Sequence, residues 1–177
     1  ELIQRFRLEG ETLRQLNHPN IVKMLGSDEH DGVNYLVMEY VTGGSLRDVL
    51  DKEKKLSIQR ALYVALDLAD ALTRAHRLQV LHRDIKPGNV LIAHDGTPRL
   101  TDFGMARVSG EPQITQDGAI VGTMAYLAPE AFQGEAVDER TDIWAFGVML
   151  WEMLAGQRPF PQEMPAPLIQ AIVTQPL

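Results

Sequence analysis

Asp84, Lys86 and Asn89 stand in the run His82-Arg83-Asp84-Ile85-Lys86-Pro87-Gly88-Asn89, and Asp102 follows at the head of Asp102-Phe103-Gly104. Phosphoryl transfer asks a protein chiefly for positioning and charge neutralisation, so its parts are oxygen ligands for Mg²⁺ and a carboxylate beside the acceptor hydroxyl. This stretch offers both, together with a lysine suited to phosphate charge. Polar residues near strand ends also serve as ordinary turn formers. That reading leaves the four together without a folding reason.

The series continues through Gly122-Thr123, Ala128-Pro129-Glu130, Asp142-Ile143-Trp144-Ala145-Phe146-Gly147 and Gly156-Gln157-Arg158-Pro159-Phe160. In content and order it resembles the protein kinase superfamily, on the serine/threonine side, with wording similar to the bacterial eukaryotic-like branch. The resemblance spans essentially the whole chain. It implies an α+β, bilobal kinase-like fold: a partial N-lobe and hinge in residues 1–41 and a mainly helical C-lobe in 42–177. It also implies ATP and Mg²⁺ as cofactors, protein Ser/Thr hydroxyls as acceptors, and a homodimer as the arrangement for autophosphorylation.

Residue roles follow from the same resemblance. Asp84 would orient the acceptor hydroxyl, Lys86 would neutralise the γ-phosphate, and Asn89 and Asp102 would hold Mg²⁺. The Thr123 hydroxyl would bridge Asp84 and Lys86. Adenine would bond backbone groups of Glu39 and Val41, with Met38 behind it as gatekeeper and Leu91 as the floor; on composition alone Met38 reads equally well as core packing. Ser45 would line the same region. Ser45 and Gly88 occupy positions where arginine-directed kinases often carry glutamates, so no acidic pocket for arginine is visible. His82 would stack beneath Phe103 in a column continuing through Leu13 and Met24, anchored by Asp142 on the catalytic-loop backbone.

Elements must position these groups. Residues 2–16 read as a helix whose apolar stripe holds Leu2, Phe6, Leu13 and Leu16, with Glu9 in its middle. A carboxylate there needs a partner, and the resemblance matches Glu9 to the glutamate that pairs with a strand lysine. His18-Pro19-Asn20 ends the helix. Residues 21–25 and 35–39 form a hairpin across Asp31-Gly32. Ser57 caps a helix to about His76, with Ile58, Leu62, Ala65, Ala69 and Leu72 at helical spacing. Val80-Leu81 and Val90-Leu91-Ile92 are expected as short strands. Asp95-Gly96 turns the chain back through Arg99-Leu100-Thr101 to Asp102. A further helix is expected from Trp144 to Ala155, with Asp142 at its start.

The polar stretch 105–120 lacks a sustained period and reads as a loop. The resemblance assigns it regulation: a phosphate on Thr115, with Ser109 second, would pair with Arg83 and order the segment. Glu130 would lack its usual arginine partner.

Composition sets bounds. The chain has 177 residues, 45% of them hydrophobic, enough for one core. No cysteine is present, which removes disulfide and thiol chemistry. A net charge of -7 with scattered cations argues against nucleic acid as a partner. No apolar run approaches the roughly 20 residues that span a bilayer, so no membrane contact is expected from this segment. A cytoplasmic location is expected, including as the cytoplasmic part of a membrane-anchored parent. The chain opens on the expected helix and itself contains neither a Gly-rich phosphate loop nor a Val-Ala-x-Lys strand. The chain therefore reads as the middle of a kinase domain, without turnover of its own. The competing class is a pseudokinase scaffold, which retention of Asp84, Lys86, Asn89 and Asp102 disfavours. A small-molecule phosphotransferase shares the Asp-to-Asn spacing, but the segment from Gly122 to Glu130 suits a protein acceptor.

Overall fold

The computed structural model describes residues 15–103, 119–134 and 137–175. Two small antiparallel sheets and six α-helices make up the regular structure of these residues. The first sheet is a hairpin of β1 (Met24–His30) and β2 (Val33–Met38). Its turn is Asp31-Gly32, as expected, with φ of 51° and 78°; both positive values are what a tight two-residue hairpin loop requires. The first strand begins three residues later than expected and runs through Gly26-Ser27-Asp28-Glu29-His30. Those residues have little strand propensity of their own. They are held by pairing with the β-branched and aromatic partners Val37 and Tyr35, beyond a bulge at Met24–Gly26.

The second sheet, β3 (Val90–Ile92) with β4 (Pro98–Leu100), is short but flanked on both sides by extended chain. Ile21 bridges Leu100 in parallel, with Val22 N–H donating to the Leu100 carbonyl at 2.8 Å, and Ser45 bridges Leu91 antiparallel. Asn20 adds a buried side-chain bond to the Pro98 carbonyl at 2.9 Å, and His18 reaches Asp70 at 3.0 Å. The His18-Pro19-Asn20 turn thus fastens the start of the described chain to both β4 and the long helix. Val80-Leu81 is not a strand: those residues run irregularly after the helix end and join no sheet.

The helices are α1 (Leu46–Glu53), α2 (Ile58–Arg77), α3 (Ala119–Met124), α4 (Pro129–Gln133), α5 (Glu139–Ala155) and α6 (Pro165–Thr174), of which α1 packs on β3 and α2 on β4. Ser45 and Asp48 form a reciprocal capping box on α1, and Ser57 caps α2 by accepting from Arg60 N–H. The buried face of α2 is Ala61, Val64, Ala65, Leu68, Ala71, Leu72 and Ala75. The expected stripe lay to one side of it: Ile58 and Leu62 face solvent. The alanines decide the difference, because small residues let α2 lie close against α5 and β4. Helix α5 starts at Glu139, capped by Asp138, so Asp142 lies inside its first turn and not ahead of it. Leu46, Leu50, Leu68, Ile85, Leu100, Met149, Met153 and Leu168 form a continuous core. Each such side chain contributes about 1.5–3 kcal/mol by leaving water.

Candidate active site

The loop between α2 and β3 carries the polar cluster. Its backbone is held from below by Asp142, 1% exposed, which accepts from His82 N–H and Arg83 N–H, each at 2.8 Å, and from His76 Nε2 at 2.8 Å. Arg83 has φ 67° and Asp102 has φ 62°. Such left-handed values cost a non-glycine residue about 1–3 kcal/mol and persist where surrounding bonds over-determine them. The two backbone bonds at Asp142 supply that restraint for residue 83.

His82 is wholly buried, its ring centroid 4.5 Å from that of Phe103. Its Nε2 meets the Thr101 carbonyl at 2.9 Å and its Nδ1 accepts from Asp84 N–H at 3.3 Å, an arrangement that suits the neutral Nε2–H ring. Burial pushes its pKa below the ordinary imidazole value, against the opposing pull of Asp142, Asp84 and Asp102. The ring is therefore a packed, neutral connector between the two polar segments, as the sequence suggested. Met24 and Phe103 line one cleft, which continues the column on that side. Leu13 and Glu9 lie outside the described residues, as do Ser109 and Thr115.

Above this floor the side chains converge. Lys86 Nζ lies 2.8 Å from Asp84 Oδ2 and 3.2 Å from Thr123 Oγ1. The lysine is thus the group in the middle, where the sequence reading gave that place to the threonine hydroxyl. Asn89, itself buried, donates from Nδ2 to both the Asp84 carbonyl and Asp84 Oδ2 at 2.8 Å. The 3₁₀ turn Pro87–Asn89 directs it there. Its own carbonyl accepts from Thr101 N–H at 3.0 Å, which sets Asn89 beside the segment entering Asp102.

The chain matches the protein kinase domain family over residues 1–176. It belongs to that family. Among its relatives, the serine/threonine-protein kinase PrkC of Bacillus subtilis is 39% identical over 163 residues, covering 92% of this chain and 25% of the relative. The serine/threonine-protein kinase PknB of Mycolicibacterium smegmatis is 38% identical over 167 residues, covering 91% of this chain and 27% of the relative. The chain therefore spans about a quarter of the length of these curated relatives.

Met38 lines a cleft with Leu16, Ile21, Val22, Leu36 and Asp102 and is 41% exposed. Glu39 follows it: its carboxylate accepts from Lys23 N–H at 2.8 Å and pairs with Arg99 at 2.7 Å. Burial alone would raise the Glu39 pKa, but those two donors outweigh it and hold the group below the usual carboxylate value. Val41 and Leu91 are partly buried, and Leu91 bridges Ser45. The Ser45 hydroxyl is occupied in its cap, 2.6 Å from Asp48. Glu130 is only partly buried, and in place of an arginine the Thr141 hydroxyl donates to it at 3.2 Å.

Sequence reasoning missed one cluster. Glu152 on α5 is nearly buried, pairs with Arg47 Nη1 at 2.8 Å and accepts from the Tyr126 hydroxyl. Burial and then the Glu152 charge push the Tyr126 pKa well up. Together with Asp51, Glu152 lines an open cleft beside Lys86 and Thr123. The available signal was a single carboxylate in the otherwise apolar run Val148 to Ala155.

Proposed function

We propose that the protein carrying this chain transfers the γ-phosphate of ATP to serine or threonine hydroxyls of proteins. The observation that carries the reading is the junction of Asp84, Lys86, Asn89 and Thr123 within hydrogen-bond distance, beside the Asp102 segment. Asp84 orients the acceptor hydroxyl and receives its proton. Lys86, which pairs with Asp84, turns its ammonium to the transferring group. Thr123 Oγ1 fixes the lysine head from the side of the acceptor. Residues 1–41 and 42–177 act as the two sides of a nucleotide cleft, with Met38, Glu39, Val41, Ser45 and Leu91 about the base.

The donor set fits Mg²⁺. It is made of oxygens, with one carboxylate at Asp102 and one amide carbonyl at Asn89, and Mg²⁺ is commonly held by one or two carboxylates plus phosphate oxygens. Asn89 spends its nitrogen on Asp84, which leaves Oδ1 as its ligand atom. When bound, the ion neutralises phosphate charge and orients the phosphate chain. Arg83 and the segment holding Ser109 and Thr115 form the regulatory part of the proposal, as a phosphate-ordered loop.

The test is transfer of label from γ-labelled ATP to a Ser/Thr protein, measured in the protein that carries this chain. Asp84→Asn is expected to lower turnover by about 10²–10⁴-fold while nucleotide binding persists. Wild-type transfer that is absent with Mg²⁺, or unaffected by the substitution, would overturn the reading.

A further inference from the structure

An open cleft of ≈ 460 Å³ adjoins the cluster on the side of Lys86 and Thr123, and its lining is strongly charged. Most of that charge is already matched. Both Glu152 oxygens are taken, by Arg47 and Tyr126. Asp51 lies 3.0 Å from Arg47, and Lys86 is held by Asp84 and Thr123. Arg158 differs: among the described residues it makes no ion pair and no side-chain hydrogen bond. It stands just past the α5 C-cap at Gly156, and the next residues fix it, since Phe160 is 2% exposed and stacks on Trp144 with centroids 6.4 Å apart. A polypeptide lying in this cleft therefore meets one charge without an ion-pair partner among the described residues, on a segment held by buried Phe160, and that charge is positive on a chain of net charge -7.

We infer that Arg158 is a specificity-determining residue, selecting acceptor segments with an acidic side chain near the target hydroxyl. This inference rests on the kinase reading above. A guanidinium binds a carboxylate through two parallel N–H bonds, which gives direction as well as charge. The buried Glu152 does not recruit arginine from the acceptor, because its own arginine fills that role.

The experiment uses the protein that carries this chain and acceptor peptides in which each position around the serine holds Glu, Gln, Lys or phosphoserine. Glu is expected to exceed Gln at one position by about three- to five-fold in kcat/KM, the range of a partly exposed ion pair. Arg158→Gln should level that ratio, and Arg158→Glu should reverse it in favour of Lys. A purely structural role for Arg158 would not produce the reversal. The phosphoserine peptides separate a carboxylate site from a phosphate site: a preference for phosphoserine without one for Glu overturns the proposal as stated. Equal rates for Glu and Gln, or a Glu preference surviving in Arg158→Gln, overturns it while leaving the kinase reading intact. If no peptide is phosphorylated, that reading fails, and fluorescence anisotropy with the same labelled peptides decides the inference. Tighter binding of Glu than Gln peptide, lost in Arg158→Gln, supports it; equal binding refutes it.

Discussion

His82 shows how a titratable side chain can be made structural. Its two nitrogens meet one acceptor and one donor, and its ring lies against Phe103 in a fully buried place. The folded protein therefore favours the neutral ring, and its pKa lies below the unfolded value near 6.5. As pH falls through that unfolded value, the unfolded chain takes up a proton that the folded chain resists, so stability declines until the folded pKa is also passed. The urea midpoint is expected to drop between pH 7.5 and pH 5.5, and the drop to be smaller in His82→Phe. Equal slopes for the two proteins would assign the pH dependence to other groups. Asp84, Lys86 and Asn89 stood out by residue type and order, since charge and oxygen donors are visible in a sequence, and their expected roles came from the resemblance. The Glu152–Arg47–Tyr126 cluster was not, because its members lie on three segments far apart in the chain and meet only through packing.

At the scale of elements, legibility followed local chemistry. The Asp31-Gly32 turn and the Ser57 cap are local features, and both stand where expected. The start of β1 and the inward face of α2 are set by partners elsewhere, by β2 in one case and by α5 with β4 in the other. Propensity alone could not find them. One glycine marks how tightly such partners fit. A Cβ added at Gly43 would lie 2.1 Å from the Ile92 carbonyl oxygen, where the chain passes β3 on its way to α1. Neither backbone can yield easily, because Ile92 N–H is bonded to the Gly44 carbonyl at 2.9 Å. Gly43→Ala is therefore expected to cost about 1–3 kcal/mol, read as a lowered urea midpoint with unchanged slope. A midpoint within error of wild type would show that the passage is looser than this packing.

For the molecule as a whole, the Glu39–Arg99 pair is one polar link, among the described residues, between the hairpin and the second sheet. Glu39 leaves the end of β2, Arg99 sits in β4, and the two side chains meet at 2.7 Å with about equal, modest exposure. A double-mutant cycle with Glu39→Gln and Arg99→Gln is expected to give a coupling of about 0.5–1 kcal/mol, and a coupling near zero would mean that this pair does not help to hold the hairpin. The opposite end of the site is anchored differently. Asp142 grips residues 82 and 83 through their backbone N–H groups, which every amino acid but proline possesses. That anchor is indifferent to the side chains it holds in place. Across generations of sequence change, residues 82 and 83 can be exchanged under other constraints without a compensating change at Asp142, and proline is the substitution that this grip itself forbids.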